Sequence, residues 1–250
     1  MAAFQAVFKR VEQKYLLSEH QYTELRKRLE GYMTVDQYGE TTICNIYYDT
    51  PTHLLVRRSM EKPIYKEKLR VRSYGTPKGE DSTVFVEVKK KFKGVVYKRR
   101  ISMPLSDSRR FTKGERVGVK NTQIENELLY FMKLYTGIAP AMYLSYDRIA
   151  MFGNENPELR VTFDRNITYR EEDMELESGS YGEKLLPEGQ RIMEIKIANA
   201  MPLWLVHILD ELEIRQASFS KYGSAYQRAR RAEKTSDNNN NAKGKVTDCA

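Results

Sequence analysis

Arginine and lysine recur at every second position in several separate segments of this chain. That spacing puts them on one face of an extended strand. In YKEKLRVRSYG, residues 65–75, Lys68, Arg70 and Arg72 share a face, and Leu69 and Val71 oppose it. In TVFVEVKKKF, residues 83–92, Phe85, Glu87, Lys89 and Lys91 lie opposite Val84, Val86 and Val88. Arg10, Glu12 and Lys14 align in 7–17, Lys98 and Arg100 in 95–103, and Glu194 and Lys196 oppose Met193, Ile195 and Ile197 in 192–198. Two arrangements satisfy such strands. An antiparallel sheet can wet its charged face and bury the other. Alternatively the strands curl into a barrel, with charges inward and helices over the apolar outside. Buried charges must be paired, so an inward ring of cations needs a polyanion to neutralise it. The pattern repeats over several strands with few interspersed Glu, and arginine, whose fork fits phosphate oxygens, recurs. Both features favour the inward arrangement and a chain of phosphates as its filling.

Strand signals lie at 7–17, 41–48, 65–75, 83–92, 95–103, 142–152, 158–168 and 190–198. Eight strands can close into a barrel with a narrow interior. Helix signals interrupt them. Ser18 with Gln21 resembles a capping box, followed by Tyr22, Leu25 and Leu29 at helical spacing. Thr50-Pro51 marks a helix start, with Asp49 as its cap. A short helix over 106–113 stops at Gly114. Residues 121–136 carry Ile124, Leu128, Phe131 and Leu134 on one face, and 202–213 opens with Pro202. A basic helix over 224–234, with Arg228, Arg230 and Arg231, either covers one tunnel mouth or faces solvent, and the second is the favoured expectation. The expected fold is α+β: an antiparallel eight-stranded β tunnel with helices packed outside. It occupies residues 1–234, and the Asn-rich tail, 235–250, is expected to be disordered.

The ordered set EQKY (12–15), IYYDT (46–50), KLRVRSYG (68–75), VFVEVKKK (84–91), YDR (146–148), ELRVTFD (158–164), IMEIKI (192–197) and SFSKYG (218–223) resembles the polyphosphate polymerase (VTC) domain. That domain belongs to the triphosphate tunnel superfamily, with the CYTH enzymes. The resemblance runs from about residue 7 to 228 and implies a tunnel that holds a nucleoside triphosphate or polyphosphate. Carried over by motif, Arg70, Arg72, Lys89, Lys98, Lys221, Lys14, Arg148 and Arg160 would contact phosphate. Tyr146 and Ser220 would donate hydrogen bonds. Glu194 would hold a divalent metal, Mn2+ or Mg2+, with Lys196 beside it and Glu12 and Glu87 as further candidate ligands. Pairing with neighbouring Lys and Arg is the equal alternative for Glu12 and Glu87. Two departures stand out. Ser218 replaces a further Lys expected in the eukaryotic version, and Arg10 replaces the first Glu of the ExExK pattern of CYTH hydrolases. Fewer carboxylates and more cations favour holding a polyanionic acceptor over orienting a water.

The implied activity is transfer of the ATP γ-phosphoryl group to a growing polyphosphate chain. Its rivals are a CYTH-like triphosphatase and a non-catalytic polyphosphate-binding module. Phosphoryl transfer asks a protein for positioning, charge neutralisation and a metal, and a terminal phosphate is already an ionised nucleophile. The shortage of histidine, only His20, His53 and His207, is then no obstacle. The 250 residues carry 42 Lys and Arg against 34 Asp and Glu, and the tail's charges cancel, so the whole +8 belongs to residues 1–234. Two cysteines, Cys44 and Cys249, exclude a disulfide framework or cysteine metal cluster. The N-terminus lacks a signal-peptide pattern, and no apolar run approaches the roughly 18 residues of a spanning helix. A cytoplasmic protein is expected, without nucleic acid as partner, because exposed aromatics do not interleave with the basic residues. Any coupling to a membrane would need a separate partner protein.

Overall fold

The computed structural model describes residues 11–244 apart from 94, 119–121 and 199, so Arg10 lies outside the described residues. The chain runs β1 (Val11–Leu17), α1 (Glu19–Leu29), β2 (Met33–Asp49), α2 (Leu54–Met60), β3 (Tyr65–Tyr74), β4 (Thr83–Phe92) and β5 (Val95–Pro104). It continues with α3 (Leu105–Phe111), α4 (Gln123–Leu134), β6 (Ala139–Gly153), β7 (Arg160–Arg170), β8 (Glu183–Lys184), β9 (Arg191–Ile197), α5 (Leu203–Glu211) and α6 (Lys221–Gly244). One antiparallel sheet has the order β1-β9-β7-β6-β2-β3-β4-β5, with the two-residue β8 attached to β7. The eight expected strands are all present.

The sheet curls without closing. Strands β1 and β5 are its two edges and do not pair, which corrects the expectation of a closed barrel. The curl is nevertheless strong. Lys89 on β4 donates to Glu12 on β1 across the concave face, at 3.2 Å. A one-residue register slip would turn every cation outward. The register prevents this by placing Arg70 opposite Tyr47 and Glu87, and Lys14 opposite Glu194.

The convex face is apolar, as the alternation requires. Leu69, Val71, Val84, Val86 and Val88 pack with Phe111 of α3 and Leu128 and Phe131 of α4. Leu17, Val161, Phe163, Met193 and Ile195 pack with Leu25 and Leu29 of α1 and Leu205 and Leu209 of α5. Burying each such side chain contributes about 1.5–3 kcal/mol before entropy is counted. Ser18 and Gln21 form the expected reciprocal capping box.

Two expectations about helices change. Helix α2 begins at Leu54, not at Pro51, with His53 in a left-handed conformation before it. Asp49 still caps it: its carboxylate accepts from the N–H groups of Leu55 and Val56 at 2.8 and 2.9 Å. Helix α6 faces solvent on one side only, with Arg228 and residues 231–235 exposed. Tyr222, Ala225 and Ala229 form a buried stripe against Met142, Leu144 and Ile192 on the concave face. The arginines sit beside that stripe, where Arg228 donates to the Leu185 carbonyl and Arg230 pairs with Glu171. Small alanines let the helix approach the sheet, a signal outweighed in the sequence by the arginines. The helix continues to Gly244, into the segment expected to be disordered, and 245–250 lie outside the described residues. Among the described residues no helix is long and apolar enough to cross a membrane.

Candidate active site

The concave face and the start of α6 enclose a cavity of about 560 Å³. Of the fourteen expected site residues, thirteen line it: Arg70, Arg72, Lys89, Lys98, Lys221, Lys14, Tyr146, Arg148, Lys196, Ser220, Glu194, Glu12 and Glu87. Arg160 does not. It opens β7 in register with Lys196, but it is exposed and outside the lining. Arg99, outside the expected set, is part of the lining. Ten basic side chains face three carboxylates, an excess that water screens poorly in an enclosed site. Such a cavity favours a multiply charged anion.

Three buried carboxylates organise the cations, and their surroundings differ. Glu87 is saturated. Arg70 contacts its Oε2 at 2.6 Å, and Lys98 Nζ forms an ion pair with Oε1 at 2.7 Å. Burial raises its pKa, but Arg70, Arg72 and Lys98 outweigh that and hold it at about 2. Asp164 is likewise taken. Arg148 clamps both its oxygens at 2.6 and 2.8 Å, and Lys221 pairs with it from α6. Burial opposes its charge, and Lys221 and Arg148 together lower its pKa nonetheless.

Glu194 is different. Its cationic neighbours Lys196, Lys14 and Arg148 stand off at 3.3, 3.7 and 3.9 Å. Burial raises its pKa, but contact with the Glu12 side chain and the charges of Lys196 and Lys14 bring it well below the usual range. This ionised carboxylate lies beside a second one and has no close hydrogen-bonded cation. That donor set fits a hard divalent cation. Glu87 does not fit one, because its oxygens already have cations at contact distance. Among the described residues no three His, Cys, Asp or Glu side chains gather to hold a metal alone. Phosphate oxygens would have to complete the shell.

Several lining residues lay outside the expected set. Lys68 shares the face of Arg70 and Arg72 and donates to Ser220 Oγ at 3.0 Å. Tyr47, within IYYDT, accepts from Arg70 at 3.3 Å and stacks on Tyr222. Behind the lining, the buried Asn45 accepts from Arg72 at 2.9 Å and fixes that guanidinium together with Tyr146. The Lys68 alternation was a readable signal. The counter-ion role of Asp164 was not, because its partner Lys221 arrives from a helix remote in sequence.

Burial, helped by the like charges of Lys14 and Lys66 and opposed by Tyr47, lowers the Lys68 ammonium to about 8. Burial likewise brings Lys98 to about 8 against the attraction of Glu87. Tyr47 is raised by burial and lowered more by Arg70, Lys68 and Arg72, and also titrates at about 8. Raising the pH therefore neutralises two cations and creates one anion. Affinity for tripolyphosphate is expected to fall roughly tenfold between about pH 7 and 9, read by calorimetric titration. Tyr47→Phe should flatten that fall. A constant affinity would show that these groups do not face the ligand.

A second cavity, about 660 Å³, shares Glu12, Lys14, Lys68, Lys89 and Ser220 with the first. Its own cations, Lys62, Lys66 and Lys91, include no arginine. The two cavities meet at these shared residues, the first arginine-rich and the second lined by lysines.

A family model described as the VTC domain matches residues 9–230. No curated protein matches the sequence. A solved structure from Bacillus halodurans, a candidate adenylate cyclase, aligns with a TM-score of 0.54 at 12% identity. That alignment covers 86% of this chain and 96% of that one. A candidate adenylate cyclase from Vibrio parahaemolyticus aligns at 0.48 and 14% identity, covering 89% and 99%. The Bacillus protein shares the fold.

Proposed function

The chain belongs to the VTC domain family, and from that premise we propose that it moves the γ-phosphoryl group of ATP onto a polyphosphate chain held in the basic channel. The family is one of triphosphate tunnel enzymes. The observation that carries the finer reading is the channel's length. A triphosphatase needs cations for one triphosphate, whereas here the basic lining continues from the arginine centre into a second cavity with Lys62, Lys66 and Lys91. Arginine's fork grips individual phosphates, and lysine's point charge neutralises a chain without fixing its register. The pattern suits a donor held at the centre and an acceptor that slides.

In the reaction, a terminal oxygen of the acceptor chain attacks the γ-phosphorus. The bond from that phosphorus to its bridging oxygen breaks, and ADP leaves with the electron pair. The attacking oxygen is already ionised, so no general base is required. Arg70, Arg72, Lys98 and Lys89 align and neutralise the phosphates, while Lys14 and Lys196 sit on the opposite wall. Arg148 and Lys221, held by Asp164, complete the ring near Tyr146 and Ser220. Glu194, with Glu12, would hold a Mn2+ or Mg2+ ion, which would supply charge neutralisation for the phosphates. The reading places this work in the cytoplasm, with ATP and polyphosphate as ligands and no nucleic acid. Attachment to a membrane would rest on a separate partner protein.

Incubation with ATP and Mn2+ should yield a ladder of polymers on a gel. Orthophosphate without a ladder would assign a triphosphatase instead. Tight polyphosphate binding without turnover would assign a binding module.

A further inference from the structure

At the end of the channel opposite the lysines, the concave face changes character. Along β3 the inward positions read Lys66, Lys68, Arg70, Arg72 and then Tyr74. On β4 the partner of Arg72 is Phe85, and on β5 Arg100 pairs with Glu87. Tyr74 and Phe85 meet edge to face, with centroids 5.5 Å apart at 82°. The Arg100 guanidinium lies over the Phe85 ring at 4.6 Å and reaches to 3.5 Å from the Tyr74 hydroxyl. None of the three belongs to the apolar clusters of the fold. Tyr74 is 51% exposed and lies two residues beyond Arg72, which lines the cavity, on the same face of β3. The exposed Tyr74 ring, with Phe85 and Arg100 beside it just beyond the arginine centre, contributes to none of those clusters.

We propose that Tyr74, Phe85 and Arg100 form the platform on which the base of a nucleoside triphosphate stacks while its phosphates enter the arginine centre. The inference rests on the phosphate-channel reading and adds to it the feature that separates a nucleotide from a bare phosphate chain. Its geometry is consistent with the ligand. From Tyr74 to Arg70 is four residues, about 13 Å along a strand, and the cations Arg72 and Arg100 lie between. Aromatic rings and arginine planes bind bases through their π faces, a term independent of phosphate. The arrangement also orients the donor, with its base at the aromatic end and its γ-phosphoryl group toward the lysine-lined cavity.

The test compares two probes, ATP and inorganic tripolyphosphate, by calorimetric titration of the full chain with Mn2+ present. Wild type is expected to prefer ATP. Tyr74→Ala should weaken ATP roughly tenfold and leave tripolyphosphate within about twofold, a change of about 1.4 kcal/mol in the ratio. Tyr74→Phe, which keeps the ring, should retain the preference. Tyr74 is exposed, so folding does not depend on it. If the ratio of the two affinities is the same in wild type and Tyr74→Ala, the platform is refuted and the channel reading survives. If wild type binds neither probe, both fall together.

Discussion

Glu194→Gln is expected to lower ATP turnover by about three orders of magnitude while tripolyphosphate still binds. The argument is local. The substitution keeps the shape of the side chain and removes one negative charge from a buried position. That position already has Lys196, Lys14 and Arg148 within 4 Å. For phosphate alone, losing this anion makes the wall more positive, so binding should hold or strengthen. For chemistry it removes the carboxylate whose surroundings leave room for a divalent cation, and such electrostatic contributions to a transition state are typically worth several kcal/mol. The split between unimpaired binding and lost turnover is the signature, measured by calorimetry and by gel on the same preparation. Turnover within about twofold of wild type would remove Glu194 from the reaction. Loss of both binding and turnover would instead mean that the pocket had collapsed. Near-ultraviolet circular dichroism distinguishes that case.

How far the chain could be read before its fold was known follows from which signals are local. Side-chain alternation has a period of two, so Lys68, Arg70 and Arg72 necessarily share a face opposite Leu69 and Val71, and the core formed on that second face. The capping box at Ser18 is equally local. Closure of the sheet is not. Whether β1 meets β5 depends on twist accumulated over the whole sheet, and no single strand encodes it. The placement of α6 was only half legible for a related reason. Its three arginines dominate the composition, yet Tyr222, Ala225 and Ala229 decide which side is buried. In the site, thirteen expected residues converged because the motifs ride on strands whose register fixes their direction. Asp164 and Tyr47 are counter-ion and spacer to residues from other elements, and only the tertiary contact reveals them. Arg160 shares the face of Lys196 but is the first residue of β7, at an exposed strand end outside the cavity.

Glu87 offered two roles from its sequence, metal ligand or partner of the surrounding cations, and Glu87→Gln separates them. In the folded chain its carboxyl is held at about 2, against 4.5 in its unperturbed state, by Arg70, Arg72 and Lys98 overcoming burial. The folded pKa is depressed, so the stability it brings is fully present above about pH 4.5. It is lost as the pH falls through about 2. A depression of that size corresponds to about 3 kcal/mol at neutral pH, similar to the cost of breaking a buried pair by deleting one partner. The variant should therefore melt on the order of 10 °C lower than wild type at neutral pH, and the gap should close on acidification toward pH 2. Tripolyphosphate should narrow the gap at neutral pH, because a phosphate can take the carboxylate's place beside Arg70 and Lys98, and ligands that bind only the folded state stabilise it. Its affinity should rise, since the cavity has lost an anion. The metal-ligand role predicts something else: unchanged melting, but a higher Mn2+ requirement for turnover. A melting curve that matches wild type at pH 7, with that shifted requirement, would reassign Glu87 to the metal and leave Arg70 without its structural anchor.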